Sequence, residues 1–231
     1  MLAVAIVVGG CGVTSPGDAR PSPSASGGLR YVALGDSYTI GTSVASADRF
    51  PEQLVASVPG LELVANLGVN GYTSADLIRD ELPALDDLAP DFVTVLIGVN
   101  DVVQRVPGET YESNVVIILD ALLTRLPADR IVAVAIPDYT VTPSGGAFGD
   151  PTVQSAGIRA NNEVMERHAA ARGIAFVDIF GISREAATER SLVASDGLHP
   201  SGAQYARWVE RLVVVVEGLL ATPPGPSTPS S

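Results

Sequence analysis

The chain has 231 residues, a formal net charge of −12 and a single cysteine. All 14 basic residues are arginine, which excludes Schiff-base and Ser–Lys chemistry, and without a basic cluster no nucleic-acid partner is expected. One cysteine excludes an internal disulfide, and no Cys/His grouping has the makings of a zinc site, so neither metal nor other cofactor is expected.

At the start of the chain, Leu2–Val8 is an apolar run too short to span a bilayer but suited to the apolar part of a signal peptide, here residues 1–10. It runs into Val8-Gly9-Gly10-Cys11, which resembles the lipobox of bacterial lipoproteins. The resemblance implies that Cys11 becomes the lipidated first residue of a protein anchored to the membrane outside the cytoplasm. The departure is the missing basic stretch ahead of the apolar run, and simple secretion is the alternative. Residues 11–28 are dominated by Gly, Ser, Pro and Ala, and residues 221–231 hold four prolines and three serines. Neither has the apolar content to offset the entropy of ordering, so they read as a linker and a disordered tail. Residues 29–220 remain as one domain, long enough to bury roughly 70% of its unfolded surface.

Within that domain five apolar, β-branched runs read as buried strands: Tyr31–Leu34, Leu61–Asn66, Phe92–Ile97, Ile131–Ile136 and Ile174–Ile179. Helical patterns alternate with them. Pro51–Val58 opens on a proline at a first-turn position, and Ser74–Glu81 starts with a capping-type serine. Tyr111–Leu126 and Val153–Arg172 follow, and Gly202–Leu220 closes the fold. The last contains four consecutive valines, yet Ala206, Val209, Leu212, Val213 and Val216 share a helical face. Strands alternating with helices predict an α/β fold with a parallel sheet covered on both faces, its ligand site at the carboxyl ends of the strands.

Three islands carry chemistry. Gly35-Asp36-Ser37 follows the first strand, Gly98-Val99-Asn100-Asp101 follows the third, and Asp196-Gly197-Leu198-His199 precedes the last helix. Together they supply a nucleophile, an amide donor, an orienting acid and a base, the groups that acyl transfer from an ester needs. A serine hydroxyl is a poor nucleophile until a base removes its proton. The chain has two histidines. His168 lies in the polar helical stretch Glu166–Arg172 and reads as a solvated surface residue, which leaves His199 as the base.

Read together, these islands resemble the blocks of the SGNH hydrolases, also called the GDSL esterase/lipase family. Gly35, Asp36, Ser37 and Gly41 match the first block, Asn66–Thr73 with Gly71 the second, Gly98–Asp101 the third, and Asp196 with His199 the fifth. The strand–helix pattern extends the likeness from about Arg30 to Leu212. One departure is Tyr38, where the family has its eponymous leucine. The resemblance implies a three-layer αβα sandwich on a five-stranded parallel sheet of flavodoxin-like order. It assigns Ser37, Asp196 and His199 to a catalytic triad, and the oxyanion hole to the N–H groups of Ser37 and Gly71 and the side-chain amide of Asn100. Glycine at 71 is expected because a Cβ there would crowd the acyl group or forbid the turn. Asp36 and Asp101 read as braces of their loops.

The leading functional expectation is an esterase for short acyl or lysophospholipid-type esters, working through an acyl-serine. A carbohydrate O-acetylesterase or acetyltransferase of the cell envelope is the alternative, and a catalytically idle binding protein on the same fold the third. The substrate is a small-molecule, lipid or glycan ester, and no protein partner is implied. The segment Pro137–Pro151 is expected to form a mobile wall or lid over the site, or else an ordinary surface loop. Tyr38, Tyr72, Tyr139 and Phe148 are candidates for a sugar platform at the mouth.

Overall fold

The computed structural model describes residues 27–221; the signal peptide, Cys11, the linker up to residue 26 and the tail from 222 lie outside the described residues. The strands are β1 (Leu29–Gly35), β2 (Leu61–Asn66), β3 (Phe92–Leu96), β4 (Ile131–Val134) and β5 (Ala175–Val177). They form one parallel sheet in the order β2-β1-β3-β4-β5, the flavodoxin-like order. The helices are α1 (Ser37–Ile40), α2 (Phe50–Ser57), α3 (Ser74–Asp76), α4 (Leu82–Leu88), α5 (Val99–Val103), α6 (Gly108–Leu123), α7 (Pro151–Ala170), α8 (Phe180–Arg184) and α9 (Gly202–Ala221).

Strand alternation splits the core in two. Tyr31 and Ala33 of β1, Phe92 and Leu96 of β3, and Val132 and Val134 of β4 face one cluster, completed by Phe50 and Leu54 of α2 and by Tyr205, Trp208 and Leu212 of α9. Their strand neighbours Val32, Leu34, Val93, Val95, Ile131 and Ala133 face the other, completed by Leu85 of α4, Val115 and Leu119 of α6 and Met165 of α7. Side chains of period two on buried strands therefore produce the three layers. Each fully buried Leu, Val or Phe contributes roughly 1.5–3 kcal/mol, so both faces are needed. Among the described residues no helix is long and apolar enough to cross a membrane.

Local chemistry moved several boundaries. α7 starts at Pro151 rather than Val153, because the Asp150 carboxylate caps the N–H groups of Thr152 and Val153. The serine expected to cap the helix after β2 does not do so. Thr73 is the cap, in a capping box with Asp76, and Ser74 turns to Asp101 instead. A π-helical turn, Leu77–Glu81, then joins α3 to α4. β5 keeps only three residues of its apolar run. Ile174 is tied back to Ala169 at the end of α7, and Asp178 accepts from the Phe180 N–H as α8 begins.

The sheet order places the site. The chain leaves β1 for β2 on one side and returns to β3 on the other, so β1 and β3 flank the switch point where a crevice opens at their carboxyl ends. Ser37 follows β1 and Asn100 follows β3.

Candidate active site

Ser37 is the first residue of the one-turn helix α1. Gly35 ends β1 with φ +148°, and a Cβ there would meet the Leu96 carbonyl oxygen at 2.1 Å, so only glycine fits between the strand and the nucleophile. Asp36 caps α1 by accepting from the Tyr38 N–H at 3.0 Å. Ser37 is 8% exposed. Among the described residues no hydrogen bond uses its N–H, its Oγ or the N–H of Gly71.

Asp196 and His199 form a pair, with His199 Nδ1 2.6 Å from Asp196 Oδ2. Asp196 Oδ1 accepts the N–H groups of Leu198 and His199, and Oδ2 also accepts the Ser43 hydroxyl at 2.7 Å. Partial burial opposes the charge on Asp196, but these four donors outweigh it and hold its carboxyl well below the usual range. The carboxylate is thus ionised at any working pH and able to fix the tautomer of its histidine. The imidazole packs on Tyr38, ring centroids 5.3 Å apart, and the Tyr38 carbonyl accepts from the buried Tyr205 hydroxyl. The departure from the family leucine therefore supplies a fixed wall for the base. No hydrogen bond joins Ser37 Oγ to His199 among the described residues, a contact that tightens in many enzymes only when substrate binds.

Asn100 sits in the first turn of α5, where Gly98 rather than Asn100 is the cap. Its Nδ2 donates to the Tyr72 carbonyl at 2.9 Å and faces Asp36 Oδ2 at 3.5 Å. Gln104 Nε2 donates to the Gly71 carbonyl at 3.1 Å. Asn100 of α5 and Gln104, the residue that caps its C-terminus, therefore orient the Gly71–Tyr72 turn. Gly71 has φ +82°, which explains the glycine, while the space around it is open. The turn itself therefore accounts for the glycine.

The brace reading of Asp36 and Asp101 also holds, since Asp101 takes the N–H and hydroxyl of Ser74. Glu81, absent from the sequence reading, joins them. It is buried on the π turn, and its Oε2 accepts the Gly35 N–H at 2.8 Å. Burial pushes Asp36 up to about 8, Glu81 up to about 9, and Asp101 upward. In the unfolded chain these acids ionise near their ordinary values. From about pH 4 to 9 the native state then binds more protons than the unfolded one, so these groups make stability fall as pH rises. Asp196 has the opposite sign and acts only at the acid end. The melting temperature is therefore expected to decline from about pH 5 to about pH 9. Glu81→Gln, which keeps the acceptor without the charge, should flatten the slope. A melting temperature that holds or rises over this range would contradict the assignment.

The Pro137–Pro151 segment is strapped to the base-bearing turn. Ser144 donates its N–H to the Gly197 carbonyl and its hydroxyl to the Asp196 carbonyl. Asp138 anchors the strap's start by accepting from Thr140, Ser155 and Arg184. Tyr38 and Tyr139 are buried, leaving Tyr72 partly open and Phe148 40% exposed. A cavity of about 10 Å³, room for one water, lies between His199, Tyr38, Tyr139 and Ser183. A larger cleft of about 470 Å³ shares no wall residue with it and runs beside Thr140, Ser155, Arg159 and Arg184. His168 is not a free surface residue: it bonds Glu112 Oε1 at 2.8 Å, pinning α7 to α6.

Residues 33–207 match the model of the GDSL-like lipase/acylhydrolase family, and the chain belongs to that family. It is accordingly a hydrolase. No curated protein matches the chain. Among solved structures it is similar to LAE5, an alpha/beta hydrolase enzyme from the metagenome of Lake Arreo, Spain, at 21% identity and TM-score 0.65, over 84% of this chain and 97% of that one. It is also similar to a member of the lipolytic protein G-D-S-L family from Veillonella parvula, at 18% identity and TM-score 0.66, over 81% and 98%. A catalytic variant of Axe2, an acetylxylan esterase from Geobacillus stearothermophilus, aligns at 17% identity and TM-score 0.65, over 82% and 94%. At these identities the likeness shows the fold.

Proposed function

We propose that this hydrolase cleaves carboxylic esters of short acyl chains through an acyl–Ser37 intermediate. The observation that carries the reading is the Asp196–His199 pair, fixed at 2.6 Å and packed on Tyr38, the residue beside Ser37. His199 Nε2 takes the Ser37 proton as Oγ bonds to the ester carbon. The oxyanion receives the N–H groups of Ser37 and Gly71 and the Asn100 amide, whose second hydrogen has only the long contact to Asp36 to give up. Collapse expels the alcohol, which takes its proton from His199. Water, deprotonated by the same ring, then attacks the acyl group and releases the acid and Ser37.

The connections that flank the site are short, residues 41–45 after α1 and 104–107 after α5, and short loops favour a shallow groove and short acyl chains. Acetyl and butyryl nitrophenyl esters should therefore be hydrolysed faster than the decanoyl ester, and a fluorophosphonate probe should label Ser37. Labelling at another residue, or a preference for the decanoyl ester, would overturn the reading. Acetyl groups on envelope glycans are a second reading, favoured by exposed Phe148 and by the likeness to an acetylxylan esterase. An acetylated-glycan panel run beside the nitrophenyl esters separates the two.

Asn100→Ala should lower kcat by about 10²- to 10³-fold with little change in KM, because its amide meets negative charge only in the transition state. Unchanged kcat with raised KM would make Asn100 a substrate-binding residue.

We infer further that Cys11 is lipidated and tethers the domain to the outer side of a membrane. Cys11→Ser should release the protein from membranes with its esterase activity intact. Continued sedimentation with membranes, or an unmodified Cys11 by mass spectrometry, would leave simple secretion.

A further inference from the structure

Ser43 lies in the turn after α1, six residues beyond the proposed nucleophile, and nothing in its sequence surroundings marks it. Its backbone is in the left-handed region, φ +67°, where a residue with a Cβ is strained. Such strain persists only where surrounding contacts hold it. Here the contacts point both ways along the site. The N–H groups of Gly41 and Thr42 return to the Ser37 carbonyl, each at 3.1 Å. Thr42 donates its hydroxyl to Asn70, the neighbour of Gly71. Ser43 donates its own to Asp196 Oδ2 at 2.7 Å, the oxygen that faces His199 Nδ1.

Of the four donors on the Asp196 carboxylate, three belong to its own turn, at Leu198 and His199. Ser43 alone reaches it from elsewhere in the chain, and that segment carries the nucleophile. We propose that Ser43 is a positioning residue of the hydrolytic site. Its hydroxyl sets the rotation of the Asp196 carboxylate, which aims the His199 ring, and so registers the base-bearing turn against the Ser37 turn. It also draws charge from Oδ2 and moderates how strongly Asp196 stabilises the imidazolium. The proposal rests on the Ser37–His199 reading above.

Ser43→Gly removes the hydroxyl and relieves the left-handed strain, so the variant should fold at least as stably as the parent; Ser43→Ala removes the hydroxyl alone. Both should lower kcat about tenfold at unchanged KM, the loss of one hydrogen bond to a charged group. In an Asp196→Ala background Ser43→Gly should have no further effect on kcat. A Ser43→Gly enzyme with parental kcat, or one whose loss falls on KM instead, would overturn the proposal, as would a full tenfold loss in the Asp196→Ala background. Ser37→Ala is the control: if it stays active, the site reading fails first; if it is dead while Ser43→Gly is unaffected, only the role of Ser43 fails.

Discussion

Ser37→Ala is expected to lower turnover of nitrophenyl acetate by about 10⁴- to 10⁶-fold, leaving what the oxyanion donors and binding alone supply. The reason is positional. Ser37 stands at the switch point of the sheet on a one-turn helix, with its hydroxyl and N–H uncommitted among the described residues. The substitution removes one oxygen from a site that is 8% exposed and leaves Gly35, the Asp36 cap and the Tyr38 wall intact, so folding should be unaffected. Turnover near the parental rate, in a variant of unchanged melting temperature, would mean that another group carries the acyl chain.

His199→Ala should be as damaging as loss of the serine, and the double variant with Ser37→Ala no worse than either single one, because members of a triad act as a unit. Asp196→Ala should cost less, by about a factor of 10 to 100. The His199 ring would keep its packing on Tyr38 but lose its partner for Nδ1. Losses that add in the double variant would show that Ser37 and His199 work separately. A fully active Asp196→Ala enzyme would show that ring packing alone orients the base.

Most of the fold was legible because it depends on periodicity. Apolar, β-branched runs alternate with helical patterns, and the same alternation that marks Tyr31, Val32, Ala33 and Leu34 as strand sends them to opposite cores. The four valines of Val213–Val216 read as helix because Val209, Leu212 and Val216 fall on one buried face, with Val214 73% exposed. The boundaries moved where a single hydrogen bond decides, as with Asp150 for α7 and Thr73 in place of Ser74 for α3.

By itself the sequence determined which chemistry-bearing residues exist and in what order: one serine after the first strand, one asparagine after the third, and one Asp-x-x-His turn before the last helix. Those are local facts, set by strand ends and by residue types that few other positions offer. Tertiary structure alone decided what holds them. Ser43 meets Asp196 across 153 positions, Ser144 meets it across 52, and Glu81 reaches Gly35 across 46. Ser43, Ser144 and Glu81 carry no signal in the chain, because a hydroxyl in a small-residue loop or a glutamate on an amphipathic helix is ordinary until folding brings a partner within hydrogen-bonding distance. A hydrogen bond is specified by distance and direction in space, and only packing the two helical layers onto the sheet sets both.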